Sequence, residues 1–496
     1  MLFGRPVFLF LFLPLVLLLA QLPGLRTRNA VLLIASLAFY GWGEEVMGVL
    51  MLVSIGLNYG FGRWIEGARA QGRGRGVVAL AVAVNVGLLV YFKYADWIWG
   101  SAGWALVELG LLSQAPPRLG DFVTSPELRS ILLTPDGWIR LPIGISFFTF
   151  HALSYVIDVW RRDAKVQRHL GHFALYISLF PQLIAGPIVR YRDIADQFAT
   201  RAVRLEGFTY GIRRFALGLG KKLVIADVCA QTSDHIFALP ASELAAASAW
   251  LAVICFMVQL YFDFSGYSDM AIGLGHMFGF RFRENFDYPY ISQSITEFWR
   301  RWHISLSTWF RDYLFIPLGG SRRSPARTYL NLFIVFFLCG MWHGASWNYV
   351  VWALYQGSFL MLERAGLLSF LERLPRPLRH VYALGVLLVS WSFLRGGELG
   401  QCLHFMGVMF GQGSGSDWWP VTHFLDRQLV LTLIAAVIGS TPWLPALTRR
   451  VTRADFPPLA RRAAHVVGAV VVLAVLVLGV CYSAAGTYTP FVYFRF

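Results

Sequence analysis

Long apolar runs without period-two alternation recur along the whole chain, at about 7–22, 29–43, 46–62, 77–92, 142–158, 172–189, 245–262, 328–343, 347–363, 381–396, 428–447 and 464–484. An α-helix needs roughly 20 apolar residues to cross a bilayer, and only helices or closed barrels satisfy their backbone groups there. The missing alternation excludes an outer-membrane barrel. Runs shorter than a full span call for tilt, re-entry or a thin bilayer, so the expectation is roughly ten to thirteen spans. Composition agrees. Only 14% of the 496 residues are charged and 56% are hydrophobic, against roughly 25% charged in soluble domains, and the mean hydropathy is +0.55. A soluble enzyme with a tail, a secreted all-β domain and a disordered chain are thereby excluded. The run at 7–22 follows a single Arg5 and lacks an A-x-A site, so it reads as a retained first helix, tilted or broken at Pro14.

The net charge of +15 lies in clusters between the apolar runs and reads as topology, not as affinity for nucleic acid. Arg26/Arg28, Arg63–Arg75, Arg161–Arg168, Arg322–Arg327, Arg373–Arg379 and Arg449–Arg462 mark one side, the cytoplasm. The segment 93–140, read as a loop with an amphipathic piece near Trp97–Leu112, then lies outside. So do Gly411–Pro420 and the chain end. Alternation fails between 190 and 327, where charges and Pro/Gly breaks interrupt moderately apolar stretches. Irregular backbone at membrane depth is tolerated only inside protein or along a cavity, so the functional cavity is expected there. The five cysteines are scattered and form no C-x-x-C, which leaves neither a disulfide framework nor a zinc site.

Three constellations carry the chemistry. In Ser294–Gly320, Thr296 is expected to cap a helix, and Trp299, Trp302 and Trp309 interleave with Arg300, Arg301 and Arg311 beside His303. The pattern fits an interfacial helix with aromatic and basic anchors. It also fits a cytoplasm-facing pocket whose arginines meet a phosphate-bearing donor. In Cys339–Trp347, His343 closes an apolar run between Trp342 and Gly344. An ionisable group inside the membrane is a functional candidate by default, and an imidazole suits general-base work. In Tyr261–Met270, Asp263 and Asp269 stand in apolar surroundings and are expected to pair with arginines or to cap a helix break at Gly266, with a proton relay as the alternative. Trp302, Trp342, Asp263, Asp269 and Arg495 join Arg300 and Arg301 as candidate substrate contacts. Phe215–Lys222 resembles a P-loop faintly but lacks its first glycine and the hydroxyl after lysine. There is no H-E-x-x-H and no G-x-S-x-G.

Asp263–Gly273, Arg300-Arg301-Trp302-His303 and Trp342-His343-Gly344, together with Leu141–Phe147 and Gln182–Pro187, resemble the membrane-bound O-acyltransferase superfamily, in its alginate O-acetylation branch. The resemblance covers nearly the whole chain. It implies an all-α polytopic integral membrane protein, one domain over 1–496, in which a ring of helices with re-entrant segments surrounds a thin central funnel. It carries the catalytic role to His343 and that of the second family histidine to His303. The aromatic ending Phe491–Phe496, at the tip of a periplasmic tail over 484–496, is similar to that of the companion peptide of teichoic-acid D-alanylation. The resemblance thereby marks Tyr493 as an acyl acceptor, while an interfacial anchor is the plainer reading. The implied activity is passage of an acyl group, acetyl by expectation, from acetyl-CoA across the bacterial inner membrane. The implied acceptor is an exopolysaccharide, reached through a periplasmic SGNH-type partner. No bound cofactor or metal is expected, and membrane lipid is the surrounding partner. A D-alanyl transferase served by an acyl-carrier protein and a non-enzymatic transporter remain as alternatives; the transporter would require inverted repeats that the sequence does not display.

Overall fold

The computed structural model describes residues 3–395, 397–413, 419–451, 457–486 and 491. Among them the regular structure is helical, with isolated β-bridges at Leu133–Ile139 and Leu244–Trp419. Chain contacts divide the molecule into one unit over 12–202 and another that joins 3–11 to the chain from Val203 onward.

The first unit holds α1 (Leu25–Glu44), α2 (Gly48–Ala70), α3 (Gly74–Glu108) and α4 (Ile145–Arg161). Inside it, the Asn58 and Asn85 side-chain amides exchange hydrogen bonds at 3.0 and 2.8 Å between α2 and α3. Tyr155 of α4 lies so close over Gly62 of α2 that a Cβ there would fall 2.1 Å from its hydroxyl. The expected loop from residue 93 is corrected. α3 continues unbroken to Glu108, because nothing between 92 and 108 breaks a helix, and the chain turns only at Gly110 and the prolines 116 and 117. The apolar run at 172–189 does not form a single helix either. It divides into Leu170–Ser178 and Phe180–Leu183, parted at Leu179 (ψ 108°), so that Pro181, which lacks an N–H, falls in the first turn of the second piece, where that donor would have no helical partner.

The second unit is built on α5 (Leu205–Gly220), α6 (Asp227–Ala238), α7 (Ala246–Met277), α8 (Ile295–Arg301), α9 (Ile304–Phe310), α10 (Pro325–His343), α11 (Trp347–Leu362), α12 (Arg376–Arg395), α13 (Leu399–Met409), α14 (Arg427–Gly439), α15 (Trp443–Val451) and α16 (Pro458–Ala484). Its centre is the crossing of α5 and α7. Gly211 and Gly218, two turns apart, face Gly273 and Gly266, and a Cβ at any of the four would lie within 2.7 Å of the opposing glycine's carbonyl oxygen. Small residues at such positions let two backbones meet closely in a membrane. The expected helix break at Gly266 is therefore corrected: α7 is continuous, and the glycine serves the crossing.

Five helices of the described residues (α3, α7, α10, α12 and α16) are long and apolar enough to cross a membrane. α14 and α15 are together apolar and long enough as well, but are bent by 60° at their junction, the geometry of a broken span or of a re-entrant loop. Other apolar runs fold into shorter or more polar pieces, among them the 16-residue α11 and a π-turn at Phe8–Phe12 that leads into Leu13–Leu19.

Candidate active site

The segment singled out around His303 is two short helices, not one. Its cap is corrected by two residues: Ser294, not Thr296, begins α8, its hydroxyl accepting from the Glu297 amide at 3.0 Å. A second acceptor lies far away in the chain. The buried Glu363 carboxylate, just beyond α11, accepts from the amides of Ile295 and Thr296 at 2.6 and 2.8 Å, satisfying helix-end donors that have no partner in their own helix. α8 stops at Trp302, and His303 takes a left-handed backbone (φ 43°) to begin α9. Its Nδ1 accepts from the Leu306 amide at 3.3 Å, which places the proton of a neutral ring on Nε2. Such a φ is uncommon outside glycine and persists where surroundings over-determine it. Asn285 supplies that restraint: its carbonyl accepts from the Ile304 amide at 2.9 Å, its side-chain oxygen takes the Ser305 hydroxyl at 2.8 Å, and its amide donates to Ser268 of α7 at 3.0 Å.

His343 is the last residue of α10. The turn after it is compressed against α11: a Cβ on Gly344 would meet the Tyr349 ring at 2.2 Å, and one on Gly340 would meet the Tyr349 carbonyl oxygen at 2.7 Å. Rings join the two histidines. The Trp342 ring centre lies 6.2 Å from that of His303 and 5.0 Å from that of His343. Trp352 meets His343 edge-on at 4.8 Å, and Phe264 meets His303 at 4.6 Å. His303 is fully buried and His343 nearly so. The indole N–H groups of Trp352 and Trp391, whose rings stack at 6.0 Å, are buried without a hydrogen-bond partner. They are donors of the kind that can receive a carbonyl oxygen.

The other expected residues fall in distinct places. Trp302 is buried in a ring cluster with Phe286, Phe298 and Trp391 at 5.0–5.4 Å. Arg301 is held by Glu297 and Asp287, both at 2.9 Å, and Arg300 is exposed. Beside them an apolar cavity of about 190 Å³ runs between α8, α9 and the inner face of α10, past Trp299, Phe310, Phe336 and Cys339, with Arg311 on its wall. Asp263 pairs with Lys222 at 3.1 Å, and Lys222 also bonds Asp227 at 2.6 Å. Asp269 takes Lys221 at 2.8 Å and Arg214 at 2.7 Å. The lysines of the faint P-loop pattern thus neutralise the intramembrane acids of α7. Among the described residues no three His, Cys, Asp or Glu side chains cluster as metal ligands.

Tyr493 and Arg495 lie outside the described residues. Phe491 lies within them, buried between Tyr267 at 4.9 Å and Phe264 at 5.8 Å. Tyr267 stacks on its other neighbour, Phe3, at 4.7 Å. The ring that holds Phe491 is thus the ring that meets His303.

Residues 136–394 match the profile of MBOAT, the membrane-bound O-acyltransferase family. The chain belongs to that family. It is 43% identical to a protein of Azotobacter vinelandii named probable alginate O-acetylase AlgI, over 88% of this chain and 83% of the other. It is 40% identical to a Pseudomonas putida protein of the same name over the full length of both. A Helicobacter pylori peptidoglycan O-acetyltransferase is 33% identical over 83% of this chain and 80% of its own. The chain is a multi-pass membrane O-acyltransferase. What sequence reasoning missed around the histidines is Asn285, Glu363 and Trp352. The first two act on helices distant in the chain and leave no local pattern; Trp352 lies nine residues after His343, a signal only once α10 and α11 are known to be antiparallel neighbours.

Proposed function

We propose that this acyltransferase passes acetyl from acetyl-CoA at the cytoplasmic face of the bacterial inner membrane to a periplasmic SGNH-type partner, which acetylates an exopolysaccharide. The observation that carries the reading is the ring path Phe491–Phe264–His303–Trp342–His343. It sets Phe491, the first residue of the aromatic ending, on a ring that meets one of two buried imidazoles, which a tryptophan joins to the other. Intact CoA is large and highly charged and would not cross, so the acyl group alone must move. Tyr493 lies two residues beyond the docked Phe491. Its oxygen attacks the thioester carbonyl, its proton passes to His343, and the CoA thiolate leaves with that proton; a phenol of pKa about 10 needs such a base. The aryl ester then transfers acetyl to a serine of the partner and regains its proton. The Trp352 N–H supports the reading as a donor for the developing oxyanion. The names of the relatives support a polymer as final acceptor.

The test is His343→Ala in cells that display an O-acetylated polymer. Acetylation should be abolished with protein level and membrane insertion unchanged. Near-normal acetylation in a well-inserted variant would remove His343 from the chemistry.

A further inference from the structure

The apolar cavity of about 190 Å³ beside α8 runs toward His343 without reaching it. Leu332, Val335, Phe336 and Cys339 line it from α10, at the spacing of one helix face. His343 continues that face one turn beyond Cys339. Trp299 of α8 stands between. Its ring lines the cavity, meets that of Phe336 edge-on at 5.7 Å and lies 6.1 Å from that of Trp352, the ring that meets His343 at 4.8 Å. The indole is also tethered. Its N–H donates to the Gln356 side-chain oxygen at 3.3 Å, and the Gln356 amide donates to the Ser390 hydroxyl at 2.6 Å. Gln356 and Ser390 are fully buried, and Gln356 lies one turn beyond Trp352 on α11. Swinging the indole aside would leave a buried amide oxygen unmet, which is costly.

Resting on the acyl-transfer reading above, we propose that Trp299 sets the length of the acyl group. It parts the cavity from His343, so that acetyl is accepted and a longer chain has nowhere to extend. The wall of the cavity identifies an acyl chain as the occupant that the indole keeps out. Apart from the Ser307 hydroxyl and Arg311, which Asp312 holds at 2.8 Å, the side chains around it are apolar, and the Trp299 N–H is already taken. Methylene groups would leave nothing unmet there. The amides of the CoA arm would lose hydrogen bonds to water against such a wall. Removing the indole would join the cavity to the surroundings of Trp352 and His343 and make room for a longer chain.

The experiment uses the full-length protein in detergent micelles, in excess over acetyl-, butyryl- or hexanoyl-CoA, with the CoA released in the first turnover measured by chromatography. The parent should release CoA from hexanoyl-CoA at least about tenfold more slowly than from acetyl-CoA, the scale on which an apolar site discriminates a methylene group. Trp299→Phe should narrow that ratio, and Trp299→Ala should narrow it further, by about tenfold. Gln356→Leu keeps the indole and removes its tether; it should move the ratio in the same direction, and it covers the case in which Trp299→Ala does not fold. A residue that only supports the fold would slow every donor alike. An unchanged ratio in folded Trp299→Ala and Gln356→Leu proteins would therefore overturn the assignment, as would a parent that takes all three donors equally. A parent that releases no CoA from any donor would refute the acetyl-CoA reading, and the role of Trp299 with it.

Discussion

His343 and His303 stand out in the sequence as imidazoles set among tryptophans, and the structure joins them through one of those tryptophans. What holds each ring was not legible. The left-handed turn at His303 depends on Asn285, and the start of its helix pair on Glu363, 68 residues beyond Ile295. Burial and long-range hydrogen bonds of this kind leave no local signature. The glycine beside His343 was legible as a site of close approach, and its neighbour is now named. Gly344 has an ordinary extended backbone (φ −167°), so a substitution there meets no backbone strain and is opposed first by the Tyr349 ring. Gly344→Ala should destabilise the folded protein by about 1–3 kcal/mol, the usual cost of overpacking, and should lower acyl transfer by shifting His343. Adding Tyr349→Leu should recover part of the lost melting temperature in detergent. Equal melting of Gly344→Ala and the parent would show that the turn is looser than the contact implies.

Helices were legible where apolar length alone decides, as in α3, α7, α10, α12 and α16. Apolar length alone does not place a helix end where the helix runs on through polar residues, as α3 does past Lys93, and a glycine such as Gly266 need not break one. The α5–α7 pair shows why. Paired glycines seven residues apart draw the two backbones together. The π-turn Lys221–Ala226 then presents lysines at the depth where α7 carries Asp263 and Asp269. π-turns often mark functional positions; here one carries the counter-charges that let two acids lie inside a membrane span. Lys222 is buried with both of its carboxylates. Removing one partner of a buried ion pair costs about 3–5 kcal/mol, so Lys222→Met should sharply reduce the yield of folded protein. Lys222→Met combined with Asp263→Asn should restore part of it, because less buried negative charge is then left. An undiminished yield for Lys222→Met, read by size-exclusion chromatography in detergent, would mean that water or another group compensates.

Acyl transfer across a membrane requires a donor side, an acceptor side and a group that reaches between them, and the charge pattern proposes which side is which. The positive-inside reading assigns 449–462 to the cytoplasm; α16, an apolar helix of 27 residues, is long enough to cross a membrane, and on that reading it would carry the chain to the opposite face. Phe491 lies on Tyr267 and on Phe264, the ring that also meets His303. Two measurements examine this arrangement together. Cys481 is exposed while the other four cysteines are buried, so Cys481→Ala gives a quiet background. A cysteine added after Phe496 should react with an impermeant maleimide on intact spheroplasts, and one placed within 449–462 only after lysis. Labelling of the terminal cysteine only after lysis would put the tail on the donor side and end its role as a relay. Tyr493→Phe then asks what the tail does, because it keeps the ring and removes only the nucleophilic oxygen. It should insert as the parent does, abolish acetylation of the polymer and leave donor binding intact. A tail that only anchors would lose nothing with that oxygen, and unchanged acetylation in Tyr493→Phe would assign the transfer directly to the site of His343.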